Sequence, residues 1–170
     1  APVEVAGSGW HRRPDGGGGG GGGVGEGEDH YGLWAGGRAM REVGAQHLSQ
    51  TRGVLVDPAR VLISPGVKWF LFFGVLALCG RGDEVIYPDP GYPIYESAIS
   101  YAGATPVPLP IVEQSGFAFT PDDLAERLTD RTRLVILNTP ANPTGGAIDH
   151  DLHAGIARVL ADHSCLVLSD

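Results

Sequence analysis

Four short stretches hold the residues whose types could do chemistry: Ser64-Pro-Gly66-Val67-Lys68, Asp89-Pro-Gly-Tyr92-Pro-Ile-Tyr95, Asn138-Thr-Pro-Ala-Asn142-Pro-Thr-Gly-Gly146 and Leu166-Val-Leu-Ser-Asp170. Pro140 and Pro143 fix φ on either side of Asn142, whose side-chain amide offers both a donor and an acceptor. Tyr92 presents a flat ring that could stack on an aromatic ligand. Asp170 is a carboxylate at the end of an apolar run, just where ligands gather beyond the strands of an open α/β sheet. Gly66 precedes the apolar helix that opens with Val67 and Lys68. Backbone N–H groups at such a helix start are unpaired and carry the positive end of the dipole, which suits a phosphate. Each stretch has an ordinary explanation as well: a loop between a strand and a helix, a glycine cap, a solvated aspartate.

In this order and at these separations the four stretches resemble the large domain of class I/II aminotransferases, the fold-type I enzymes that use pyridoxal 5'-phosphate (PLP). The resemblance covers residues 31–170. It implies that Val67 and Lys68 hold the cofactor phosphate, that Tyr92 stacks on the pyridine ring, and that Asn142 hydrogen-bonds the ring's phenolic oxygen. It implies too that Asp170 keeps the pyridine nitrogen protonated, the state in which the ring is an electron sink. Tyr31, followed by Gly36 and Met40-Arg41, is similar to the family's Tyr that reaches the phosphate of the partner subunit in a homodimer. An aromatic packed on its own domain explains Tyr31 equally well from the residues alone.

No catalytic residue is assigned. Covalent PLP chemistry needs a Schiff-base lysine that holds the aldehyde and moves protons at the substrate α-carbon. Lys68 is the sole lysine among 12 basic residues. Its place at a helix start is the phosphate end of the site, and in the family the catalytic Lys and the Arg for the substrate carboxylate lie on segments beyond the position of Asp170. The chain therefore reads as a fragment of an aminotransferase that moves an amino group between an amino acid and a 2-oxo acid. Two alternatives stay open: a non-catalytic binding or assembly module derived from the same fold, and a PLP-dependent lyase or synthase parent. An unrelated dinucleotide-binding domain would need a glycine-rich turn after an early strand and an acid about twenty residues on, which the Ser64-Pro-Gly66 turn does not supply.

The elements that must position these residues alternate between strand and helix, which predicts a three-layer αβα fold with a mostly parallel sheet. Strands are expected near 84–87, 133–138 and 165–169. The run Val67 to Cys79 reads as a buried helix, too short to span a bilayer, and Met40, Val43, His47 and Leu48 give the segment 38–50 a modest apolar stripe. Gly103-Ala-Thr-Pro-Val-Pro-Leu-Pro110, with proline at alternate positions, belongs at a sheet edge. Thr120-Pro-Asp-Asp carries a cap, a first-turn proline and early acids, a helix start. His150 and His153 share a helical face, and a metal pair needs more ligands than these two. Tyr95 is read as packing.

Residues 1–30 include a glycine run from Gly16 to Gly23 and read as disordered, because such a segment cannot bury enough apolar surface to offset its backbone entropy. A phosphate-cradling loop is the alternative for this run, but no Gly-Lys-Ser/Thr follows it. The formal net charge of -8 and a pI near 5.1 argue against a nucleic-acid partner. Cys79 and Cys165 make neither a metal spacing nor a disulfide framework. With no signal-peptide core in the first thirty residues and no membrane span, a cytoplasmic protein is expected. The family's sheet continues after the strand that ends at Asp170, so an unpaired edge is expected there.

Overall fold

The computed structural model describes Val3–Glu4 and residues 35–170. The chain divides into two units, one formed by residues 1–7 and 67–170 and the other by residues 8–66. The larger unit holds a five-stranded sheet of β1 (Val3–Glu4), β2 (Glu84–Asp89), β3 (Thr105–Pro110), β4 (Thr132–Leu137) and β5 (Leu166–Ser169), all parallel, in the order β1-β5-β4-β2-β3. Parallel strands need crossovers, and helices supply them: α2 (Val67–Leu78), α3 (Ile94–Ala102), α4 (Pro121–Ala125) and α5 (His150–Ala161). Successive residues of a strand face opposite sides. Leu134 and Ile136 of β4 accordingly join Val85, Tyr87 and the α2 and α3 residues Leu71, Val75, Tyr95 and Ile99 in one core. Val135 and Leu137 join Ile86, Leu109, Leu124 and Ile156 in the other. Two apolar layers on the two faces of one sheet make the three-layer αβα architecture, as expected.

The strand positions also follow the sequence, and the differences have local causes. α2 is not buried all round: Leu71 and Val75 face the sheet, while Trp69 and Phe73 are half exposed with their rings stacked at 5.6 Å. A helix laid on one face of a sheet has only one side to bury. β5 is not an open edge, because Val3 and Glu4 pair in parallel register with Leu168 and Ser169. Those two residues are thus a strand within the segment read as disordered; the rest of residues 1–30 lies outside the described residues.

β3 has β2 as its neighbour in the sheet. The flanking bonds Thr105 N to Asp83 O and Ile111 N to Asp89 O show that odd-numbered residues turn their N–H toward β2. Pro106, Pro108 and Pro110 occupy the even positions, so the outward row carries no donors to pair with another strand. At the amino end of the sheet, Glu84 accepts from Thr129 Oγ1 at 2.6 Å and from Arg131 Nε at 2.9 Å, tying the start of β2 to the turn before β4. These bonds hold its carboxyl below the usual range against the opposing effect of burial.

In the smaller unit α1 (Arg38–Arg52) ends on Gly53, whose φ of 67° supplies the left-handed cap. Its stripe is weaker than the sequence suggested: Ala45 is buried, and Met40 and Val43 are more than half exposed. Asp57 accepts from Ala59 N and opens a 3₁₀ turn over Pro58–Arg60. No described helix is long and apolar enough to cross a membrane.

Candidate functional site

The four sequence stretches of interest sit at strand ends or a helix start, and within the larger unit Lys68, Tyr92, Tyr95, Asp170, Asn138 and Asn142 form one chain of contacts at the carboxyl end of the sheet. β2 runs into Pro90-Gly91-Tyr92 and then α3. A Cβ on Gly91 would lie 2.1 Å from the carbonyl oxygen of Pro88, so only glycine lets this turn fold back tightly enough to present Tyr92. Lys68, on the exposed first turn of α2, places its Nζ 5.8 Å from the centroid of the Tyr92 ring, within the reach of a cation–π contact. Val67 is half-buried and packs on the core that contains Tyr95.

Tyr92 lies in the turn before α3, where its carbonyl oxygen accepts from the Tyr95 N–H at 3.0 Å, and the two rings meet edge to face, with centroids 5.9 Å apart and planes at 87°. Tyr95 is buried, and its hydroxyl donates to Asp170 Oδ2. Burial, followed by the hydrogen bond to Asp170 and the charge of that carboxylate, pushes the Tyr95 phenol far above its ordinary range. It stays protonated, and so remains a donor, at any physiological pH.

Asp170 continues the β4–β5 ladder by one step, its N–H donating to Leu137 O at 2.8 Å. Its carbonyl oxygen accepts from Asn138 Nδ2 at 3.1 Å, and Asn138 Oδ1 accepts from the backbone N–H of Asn142 at 2.6 Å. The turn that carries Asn142 is closed by Ala141 N to Gly146 O and Gly145 N to Ala141 O, both 2.6 Å. Its peptide bonds before Pro140 and Pro143 are cis, as is the bond before Pro90. Among the described residues, the Asn142 side chain and Asp170 Oδ1 have no hydrogen-bond partner, so both are available to a ligand.

Residues 23–170 match the family model for aminotransferase class I and II. The chain belongs to that family. Its relatives include a probable aspartate/prephenate aminotransferase of Aquifex aeolicus, 32% identical over 85% of this chain and 37% of that protein. Another is a bifunctional aspartate aminotransferase and glutamate/aspartate-prephenate aminotransferase of Petunia hybrida, 37% identical over 85% of this chain and 30% of that protein. The solved aspartate aminotransferase from Thermus thermophilus with maleate superposes with a TM-score of 0.84 at 28% identity, covering 87% of this chain and 39% of that one. The chain thus spans between three tenths and two fifths of the length of these aminotransferases.

Of the sequence-derived candidates, Lys68, Tyr92, Asn142 and Asp170 are linked by the contacts above, and Val67 lies beside Lys68. Tyr31 lies outside the described residues. Sequence reasoning missed two residues. Tyr95 packs in the core as expected, but the bond its hydroxyl makes to Asp170 was not foreseen. Asn138 was read only as part of a motif, although a polar side chain at the last step of an apolar strand stands where ligands gather in α/β sheets. His150 and His153 remain exposed, and no cluster of three or more metal-ligating side chains occurs among the described residues.

Proposed function

We propose that this chain supplies part of the PLP site of an aminotransferase that moves an amino group between an amino acid and a 2-oxo acid. The observation that carries the reading is the convergence of the Tyr92 face, the free Asp170 oxygen, the free Asn142 amide and the Lys68 ammonium at one end of the sheet. That donor set fits the group: a flat ring needs an aromatic face, a protonated ring nitrogen needs a carboxylate, a phenolic oxygen needs a donor, and a phosphate needs a cation at a helix start. Bound there, PLP supplies an aldehyde that takes up an amino group and a protonated ring that draws electrons from the substrate's α-carbon.

The chain's own residues bind and orient. Tyr92 would stack on the ring. Asp170 would accept the ring N–H through the oxygen that Tyr95 leaves free. Asn142 would donate to the phenolic oxygen. Val67 N–H and the Lys68 ammonium would hold the phosphate. The amine that takes the aldehyde and moves the proton at the α-carbon, together with the substrate-carboxylate arginine, belongs to the remainder of a longer parent. That parent is a cytoplasmic homodimer in which Tyr31 reaches the partner's phosphate. Transamination is favoured over a lyase or synthase parent because the relatives above are aminotransferases by name.

Calorimetry with pyridoxamine 5'-phosphate, which binds without aldehyde chemistry, tests the reading. Asp170→Ala removes a charge-assisted bond of about 1.5–3 kcal/mol and should weaken binding about tenfold or more. Tyr92→Ala should weaken it as well. Equal binding by all three proteins, or none by the unaltered chain, refutes the reading. With PLP itself, borohydride reduction and peptide mass mapping should find only sub-stoichiometric label on Lys68. Stoichiometric labelling there, with transamination lost in Lys68→Ala, would put Lys68 at the aldehyde instead.

A further inference from the structure

We propose that Asn138 is a positioning residue that locks the Asn142 turn to the Asp170 strand end, so that the two side chains offered to opposite edges of a 3-hydroxypyridine ring are set as one unit. The proposal rests on the cofactor reading above and assigns a role to a residue that touches no ligand itself.

In the parallel β4–β5 ladder Leu137 pairs with Ser169, and Asp170 N donates to Leu137 O at 2.8 Å. Continued by one step, the ladder would have the Thr139 N–H donate to the Asp170 carbonyl oxygen. The chain instead turns away at Thr139-Pro140, and the side-chain amide of Asn138 supplies the missing donor at 3.1 Å. Its other atom, Oδ1, receives the Asn142 N–H at 2.6 Å. The orientation of this amide is fixed by its partners, since a carbonyl oxygen can only accept and a backbone N–H can only donate. Asparagine alone among short side chains offers one donor and one acceptor on a planar group of this reach. Aspartate could keep the Asn142 bond but would set a carboxylate against the Asp170 carbonyl. Leucine would lose both bonds.

Asn142 lies in the turn after β4 and Asp170 directly follows β5, and no hydrogen bond joins the two among the described residues. The two bonds of Asn138 are the link. If the link sets them as a unit, removing one ligand contact loosens the other, and their losses on mutation fail to add. An Asn138 that merely capped the end of β4 would leave them additive.

A mutant cycle on the 170-residue chain tests this, reading the dissociation constant of pyridoxamine 5'-phosphate by calorimetry. With Asn138 present, the Asn142→Ala, Asp170→Asn double variant should bind at least about threefold more tightly than the product of the two single losses predicts. In the Asn138→Asp background the same two losses should multiply. Amide exchange without ligand gives the second readout. In Asn138→Leu the Asn142 N–H should lose protection while those of Val135 and Ile136 keep theirs. Losses that multiply in both backgrounds, or an Asn142 amide indifferent to Asn138→Leu, overturn the positioning role and leave the cofactor site standing. Failure of the unaltered chain to bind the probe overturns both.

Discussion

Tyr95→Phe tests the buried hydroxyl that holds Asp170, and its effect should change with pH in a calculable way. The substitution keeps the ring, and so keeps the packing against Tyr92 and the core around Ile99. It removes one hydrogen bond to a carboxylate. Such bonds contribute about 1.5–3 kcal/mol, and because Asp170 is only half-buried and water can partly replace the phenol, a loss of about 1–2 kcal/mol is expected near pH 7. The Tyr95 phenol is raised above its ordinary value by burial and by Asp170. Below the unfolded-state value of about pH 10 both states hold the proton and its contribution is fully present. Above it the unfolded chain releases a proton that the folded chain keeps, so stability falls by up to about 1.4 kcal/mol per pH unit. Phenylalanine has no proton to lose. The two stability curves should therefore converge above pH 10 and cross near about pH 11, where the accumulated penalty equals the lost bond. Urea unfolding followed by far-ultraviolet circular dichroism, at intervals from pH 7 to pH 11, measures both curves. Other groups with raised values, Tyr87, Cys79 and Cys165, are common to the two proteins and cancel in the difference. Parallel curves across the range, or equal stability at pH 8, would show that the hydroxyl does not hold Asp170 in solution.

Three further outcomes follow from the same reasoning. Glu84→Gln should cost about 1–2 kcal/mol at pH 7, the lower part of the range for charge-assisted bonds because Arg131 is itself exposed. Since the folded-state value of Glu84 is lowered, its contribution is present above the ordinary value of about pH 4.3 and lost as pH falls through the folded one, so thermal melts of the two proteins should converge toward pH 3. Gly146→Ala would drive a Cβ to 2.4 Å from Phe117 O and 2.6 Å from Gly116 O; a loss of about 1–3 kcal/mol in urea unfolding is expected, and a neutral variant would show that these two loops part easily. Cys79, its thiol pushed up to about 11 by burial first and by Asp83 second, should react with iodoacetamide at pH 8 on the order of a hundredfold more slowly in the native chain than in urea, as peptide mapping would show.

What the sequence revealed and what it hid divide along one physical line. Patterns set by neighbours in the chain were legible: the apolar runs of β2, β4 and β5, the Thr120 cap with its reciprocal Asp123 bonds, the alternate prolines of β3. So was the placement of Asn142 and Asp170 just beyond strands β4 and β5. Hidden were the contacts between distant segments. Tyr95 and Asp170 lie 75 residues apart, and nothing local to either marks the other as its partner. The exposure of Trp69 and Phe73 was hidden too, because the composition of α2 cannot say how many of its sides the fold will cover. The pairing of Val3 and Glu4 with β5 was hidden because a two-residue strand leaves no periodicity to read.

The two ends of the sheet differ in how fully their polar groups are committed to one another. At the amino end both oxygens of the Glu84 carboxylate are taken, one by Thr129 and the other by Arg131. At the carboxyl end the same kinds of groups are left half-satisfied. Among the described residues, Asp170 gives one oxygen to Tyr95 and keeps the other, and Asn142 gives its backbone N–H to Asn138 and keeps its side chain. A polar group that is half committed is held in place by the bond it has made and remains reactive through the one it has not. That condition separates Asp170 and Asn142 at the carboxyl end from Glu84 at the amino end. The kept halves belong to residues whose types stand out in the sequence. The committed halves reach Tyr95 and Asn138, the two residues that the chain order alone did not expose.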